Sequence, residues 1–397
     1  MSTRGAVGRS RSKDSRAAGR EAAEQAAAAL GGARASLVLA FATTGHDQEA
    51  LLGGIADVLP AARISGCSAE GVITRAGSDE SSHAVALLAL TEGELSFATY
   101  SIPGFGEDSA ACARALAAAI AQDGAKGRLL LLFPDGLGGN CTELVRTLEA
   151  ELPFPVTIAG GTAGDIFAFQ RTYQYHGREA RSGSLSAVLI DGKFAPEIVV
   201  THGCDLVGAP LAVTDADGGY VRAIDGRPAW ALFKSYLDVE TDTLEAMHLA
   251  HLLLAEHLPM SPTSSMDDFT VRVPVGLDAS TGSLYFAAGL ARGTRVQIAL
   301  RNEEKVCERT VHAVEALAAR RAGERPFFVL QLDCAGRGRL LLGDEVSERL
   351  VFPAQAPMSA EVPWVGLHTY GEIAPVQGRP YFHNYTAVFC ALYPSSD

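Results

Sequence analysis

Arg63-Ile64-Ser65-Gly66-Cys67-Ser68-Ala69-Glu70-Gly71 is a β-rich run that enters a loop of glycine and small side chains. Further along, Pro155–Ala159 enters Gly160-Gly161-Thr162-Ala163-Gly164-Asp165 in the same way. Around the first run, the pattern predicts a strand over Leu37–Ala42, a helix over Asp47–Leu59 and a closing strand over Ala84–Leu90. Around the second it predicts a strand over Leu129–Phe133, a helix over Cys141–Leu152 capped by Asn140, and a closing strand over Leu185–Asp191. A weaker third copy runs from Phe327–Leu332 into Asp333-Cys334-Ala335-Gly336-Arg337-Gly338. It continues with Val362–Gly366 into Leu367-His368-Thr369-Tyr370-Gly371-Glu372, then Thr386–Tyr393. Alternating strands and helices imply an α/β fold of repeated strand–helix–strand–loop–strand units in layered sheets. Runs such as Leu129–Phe133, apolar at every position, suit a sheet covered on both faces.

The flanks read differently. Residues 1–20 are rich in Arg, Ser and Gly without apolar periodicity, which predicts a disordered basic tail leading into a helix over Glu21–Leu30. Between the second and third copies, Pro228–Tyr236, Thr243–His257 and Glu304–Arg321 read as helices. Phe269–Val275, Ser283–Ala288 and Arg295–Leu300 read as strands. The expected division is a tail and short helix over 1–34, one domain over 35–215 and a second over 216–397, with the boundary in Asp215-Ala216-Asp217-Gly218-Gly219.

The chain has 397 residues, 48% hydrophobic and 20% charged, with a formal charge of −13. That excess of acid argues against nucleic acid as a partner, since a duplex binder needs a concentrated basic face. No apolar run is long enough to span a bilayer, and the N-terminal arginines lead into alanines rather than an apolar signal core. A cytoplasmic protein without membrane insertion is the expectation. The 7 cysteines form no C-x-x-C pair, which predicts free buried thiols rather than a disulfide frame or a zinc site.

Four segments carry a resemblance. The run Arg63–Gly71 resembles the N-terminal signature of the FIST family, as does Gly160–Asp165. Leu332–Gly338 is similar to the Cys-Ala-Gly-Arg segment of the C-terminal FIST half. Tyr370-Gly371-Glu372-Ile373-Ala374-Pro375, followed by His383-Asn384-Tyr385-Thr386, resembles the segment that ends it. The resemblance covers roughly residues 35 to 393 and implies two FIST halves packed together. It implies a bacterial sensory domain that binds small ligands such as amino acids. The sequence departs from the larger signalling members in showing no kinase, cyclase or transmembrane segment, so the expectation is signalling through a separate partner, such as a kinase, or binding alone. Some members bind haem and report nitric oxide, so haem is the alternative cofactor and no cofactor the primary expectation.

The candidate ligand-binding residues are Gly66, Cys67, Ser68, Glu70, Gly161, Thr162, Asp165, Cys334, Arg337, Tyr370, Glu372 and Asn384. Glycine turns after strands let backbone amides approach an anion, although they also permit simple close packing. Arg337, Glu372 and Asp165 are charges in apolar surroundings, and two readings stand. Either they form an internal bridge, or Arg337 holds a ligand carboxylate while Glu372 or Asp165 receives its ammonium. Cys67 or Cys334 would carry a cysteine-dependent hydrolase or transferase only with a base in reach, and no G-x-S-x-G or complete catalytic set is present. No catalytic role and no metal site are expected. His248 and His251 could share a helix face but lack a further ligand.

Overall fold

The computed structural model describes residues 2–237, 243, 252–258, 269–286 and 288–395. Three sheets share one plan. In the first, Leu37–Ala42 lies centrally, parallel to Arg63–Ser68 and antiparallel to Val85–Leu90. In the second, Leu129–Pro134 is parallel to Thr157–Gly161 and antiparallel to Ser184–Gly192. In the third, Phe328–Cys334 is parallel to Trp364–Thr369 and antiparallel to Ala387–Pro394. The third copy, weak in sequence, is therefore as complete as the other two.

Strand alternation places the two faces of each central strand in different environments. Leu37, Leu39 and Phe41, Leu129, Leu131 and Phe133, and Phe328, Leu330 and Leu332 all enter one common core. Their neighbours Val38, Ala40 and Ala42 face the first helix layer, and Leu130 and Leu132 face the second. That double burial explains why these strands are apolar at every position.

Each unit follows its second strand with a hairpin that is seated in another unit's sheet. Gly71–Thr74 and Gly77–Asp79 join the third sheet beside Trp364–Thr369. Gln174–His176 and Glu179–Arg181 join the first beside Arg63–Ser68. Glu372–Val376 and Arg379–His383 join the second beside Thr157–Gly161. The exchange is cyclic, so the three units close on one another.

Between units two and three lies a further sheet built on Cys204–Asp217, Tyr220–Ile224 and Arg295–Arg301. The helix Ala229–Leu237 packs on it through Trp230 and Phe233. Leu252–His257 is a strand paired with Arg295–Arg301, not the end of the expected helix; the rest of that helix lies outside the described residues. Leu253, Leu254 and Ala255 are consecutive and buried, a run that serves a two-sided sheet as well as a helix. The expected boundary near 215 falls inside the hairpin formed by Cys204–Asp217 and Tyr220–Ile224.

The N-terminal tail is not disordered. Gly5–Ser10 pairs along the whole of Val85–Leu90, and Ser15–Ala29 is a helix whose N-cap Asp14 accepts from the Ala17 amide. The signal was hidden because contact here depends on small residues: Ala18, Ala22, Ala23 and Ala26 form the buried face. A Cβ on Gly8 would lie 1.8 Å from the Ala22 carbonyl oxygen. Gly8→Val is expected to lower the melting temperature by several degrees, roughly 2–4 kcal/mol of overpacking and lost pairing, whereas a solvated arm would tolerate it. Thermal melts followed by circular dichroism measure it.

Candidate functional site

The glycine loops after the three second strands meet. The Gly164 amide donates to the Ser68 carbonyl at 3.0 Å, Glu70 to His368 at 3.0 Å, and Thr162 to Gly371 at 2.8 Å. Small residues make the approach possible: a Cβ on Gly164 would lie 2.5 Å from the Glu70 nitrogen, and one on Gly161 2.6 Å from Thr369 Cγ2. Gly66 serves the sheet itself, at φ 137° and with no room for a Cβ beside Ala40. Ser68 Oγ donates to the Gly164 carbonyl and accepts from the Tyr173 amide. Asn384 stands beside Gly371.

Glu70, Asp165 and Tyr370, one from each unit, form the polar centre of this knot. The Tyr370 hydroxyl lies 2.7 Å from Asp165 Oδ1 and 3.0 Å from Glu70 Oε2. Asp165 also collects the amides of Phe169, Gln170 and Arg171. Those bonds hold a backbone in the left-handed region at Ile166, Phe167 and Phe169, with φ of 56°, 53° and 49°. Such angles are strained for β-branched and aromatic residues and need this degree of anchoring. Phe167 and Phe169 lie over the Tyr370 ring and reach solvent.

Burial pushes the Glu70 carboxyl up to about 7, with like-charge repulsion from Glu80 and Asp165 adding to it, against hydrogen bonds from Phe167 and Tyr370. Glu372, fully buried, accepts from Thr369 Oγ1 at 2.5 Å and Thr386 Oγ1 at 2.7 Å, and burial pushes it up to about 8. Cys67 and Cys334 are buried thiols whose desolvation raises them well above their ordinary value, away from thiolate reactivity.

Arg337 does not reach this knot with a free fork. Its Nε donates to Asp333 Oδ1 at 2.7 Å, and its other nitrogens donate to the His202 carbonyl at 3.1 Å and Thr310 Oγ1 at 2.6 Å. Both Arg337 and Asp333 are completely buried, so the guanidinium belongs to an internal bridge rather than a ligand clamp. Asp333 sits four residues before Arg337, at the end of the strand from which the Arg337 turn begins. Asp165 and Glu372 are likewise engaged by protein donors.

Sequence reasoning missed a cleft of about 1430 Å³ where the second and third units meet. Its walls are the strand Phe194–Thr201, the helix Glu303–Arg320 and the turn Gln377-Gly378 of the exchanged hairpin. Arg128, Arg309, His312 and Arg320 line it together with one carboxylate, Glu197, over an apolar floor that includes Ile158, Ile198 and Val200. Arg128 and Arg320 are fixed by the carbonyls of Phe194 and Ile198 at 3.1 and 3.2 Å. These residues are scattered along the chain, and only the hairpin exchange assembles them.

Comparison with known families decides the ancestry. The family model for the FIST N domain matches residues 36–227 and that for the FIST C domain matches 229–375. The chain belongs to the FIST family. FIST domains are associated with sensory signal transduction. An uncharacterized protein of Mycobacterium tuberculosis is 29% identical over 390 residues, covering 96% of this chain and 97% of its own. An uncharacterized protein of Mycobacterium bovis is 26% identical over 388 residues, covering 96% of each. Among solved structures, a chorismatase aligns over 99% of this chain and 98% of its own at 9% identity and a TM-score of 0.37. A cyanuric acid hydrolase from A. caulinodans covers 48% of this chain and 71% of its own at 13% identity and a TM-score of 0.26. Likenesses that weak carry no argument about activity. Among the described residues, no helix of this FIST protein is long and apolar enough to cross a membrane, and no three His, Cys, Asp or Glu side chains are grouped to hold a metal.

Two outcomes test this account. The ordinary value of the Glu70 carboxyl is 4.5, against about 7 in the fold, so the folded protein holds a proton that the unfolded chain has lost. Stability from this group is full at acid pH and is lost as pH rises through 7. The stability of Glu70→Gln relative to the parent should therefore rise by roughly 1–3 kcal/mol between pH 5 and pH 8 in urea titrations. Arg337→Ala strands Asp333 in the interior and should cost about 3–5 kcal/mol, visible as unfolding in the same titrations.

Proposed function

We propose that this FIST protein is a sensor of a small, amino-acid-like ligand, bound in the cleft between its second and third units, and that it signals through a separate partner protein. One observation carries the reading: the cleft gathers Arg128, Arg309, His312 and Arg320 around a floor of apolar side chains with Glu197 at its edge. A ligand carboxylate would take the guanidinium donors and its side chain would cover the floor, while its ammonium would share Glu197 with Arg320 and Arg321, which bridge that carboxylate at 3.5 and 3.2 Å. The volume exceeds that of a single amino acid, so water or a larger conjugate fits as well. The glycine-loop knot contributes indirectly, because the hairpins that shape the cleft start from it. The buried, high-pKa thiols support binding rather than covalent catalysis.

Thermal-shift measurements with the amino acids test the reading, since a ligand that binds only the native state raises the melting temperature. One or more should stabilise the parent, and Arg309→Ala should weaken that ligand by about tenfold through loss of a charge-assisted contact. If no amino acid or simple derivative shifts the melt, the ligand class is wrong. A Soret band in the purified protein would instead favour the haem-binding reading.

A further inference from the structure

Arg301 ends the strand Arg295–Arg301, opposite Cys204, and its side chain turns inward with only 8% of the residue exposed. One nitrogen, Nη1, donates to the Gly336 carbonyl of the Cys-Ala-Gly-Arg segment. The guanidinium carbon lies 4.7 Å from the centre of the Tyr385 ring. Gly336 is required for that arrangement, because a Cβ there would sit 2.2 Å from the ring. The remaining two nitrogens, Nε and Nη2, are buried and have no hydrogen-bond partner among the described residues. They form one edge of the guanidinium, the edge that grips two oxygens at once.

Among the described residues, no carboxylate compensates this charge. Asp333 is held by Arg337 and Gln331, and Glu372 by Thr369 and Thr386. Arg301 also lines a cavity of about 590 Å³ with Asn302, Glu303, Glu304, Leu340 and Leu341. That cavity opens on the N-terminus of the helix Glu303–Arg320, an end that favours negative charge. Glu303 is bridged to Arg349 at 3.2 Å, and Glu304 is exposed at the rim of the cavity. A buried cation with a two-donor edge and no partner is costly unless an anion meets it.

We propose that Arg301 is the recognition fork of an anion site in the C-terminal FIST half, taking a small oxyanion, a carboxylate or a phosphate, side-on through Nε and Nη2. Cation–π contact with Tyr385 and the bond to Gly336 hold the fork in plane, and because both nitrogens are sealed from solvent the anion enters by displacing the cover over them. This site is separate from the cleft of the proposed sensor function and stands without it.

Melts of the full chain in acetate and in inorganic phosphate, with chloride at matched ionic strength as reference, test the proposal. The parent should gain several degrees in acetate, in phosphate or in both, and which of them acts identifies the source. Arg301→Lys keeps the charge but loses the fork and should weaken the effect by about tenfold. Arg301→Met removes the uncompensated charge, so in chloride it should melt no lower than the parent and show no acetate or phosphate response. Arg320→Ala, in the other cleft, should leave the response intact. An equal response in Arg301→Met, or none in the parent, overturns the proposal. Saturation transfer from the parent to the acetate methyl, or line broadening of the phosphate signal, gives the same answer without variants. If neither anion gives a signal, the site is an arginine met by water alone and the proposal fails.

Discussion

The inner faces of three central strands bury one another, and the rest of the molecule follows from that contact. Leu37, Leu39 and Phe41 meet Leu129, Leu131, Phe133, Phe328, Leu330 and Leu332 in a single core. A sheet with its inner face committed in this way must cover its outer face with helices, which is why each unit carries a helix layer. It must also terminate beside its second strand, and each sheet does so with a hairpin from another unit. The third sheet, in the C-terminal half, is completed by Gly71–Asp79 from the N-terminal half. The second sheet is completed by Glu372–His383 in the opposite direction. Neither half can complete its own hydrogen bonding alone, so the two FIST domains are one folding problem.

That exchange changes the meaning of the glycine loops. A loop that ends a strand and projects free backbone amides would suit a ligand. Here Ser68, Glu70, Thr162, Gly164, His368 and Gly371 spend amides and carbonyls on one another. Glycine is present because chains cross at distances that no Cβ permits. The polar groups at the crossing, Glu70, Asp165 and Tyr370, anchor a strained turn whose aromatic residues face solvent. The ligand-sized space lies elsewhere, in the clefts that exchange leaves between units.

Much of the plan was legible in the sequence, and the gaps have identifiable causes. Two-sided burial produced unbroken apolar strands, and repetition made the unit recognisable twice over. What sequence could not carry was pairing between distant segments. Nothing local in Gly71–Asp79 says that it pairs with Trp364–Thr369, and nothing in Gly5–Ser10 announces a strand, because its helix contact is made by glycine and alanine. Arg337 was singled out correctly as a buried charge, but whether it met Asp333 or a ligand depended on contacts that the sequence leaves equal. Arg301 had no signal at all: an arginine closing an exposed-looking strand is ordinary until Tyr385 and Gly336 fold over it.

Charge placement draws these points together. With a formal charge of −13, the molecule repels anions at a distance, and any anionic ligand must be won by local geometry. Arginines exposed on the surface would be screened and neutralised by the surrounding acids, and most are paired in that way, as Arg16 is with Asp57 and Arg379 with Glu149. Arg301 is the contrasting case, a buried cation with no carboxylate partner among the described residues, where a lower dielectric strengthens the charge. In the large cleft, by comparison, Arg128 and Arg320 are exposed and Arg320 is bridged to Glu197 at 3.5 Å. An extended polyanion would meet the outer acidic field first, whereas the charge of Arg301 could be met only by an anion small enough to reach the interior.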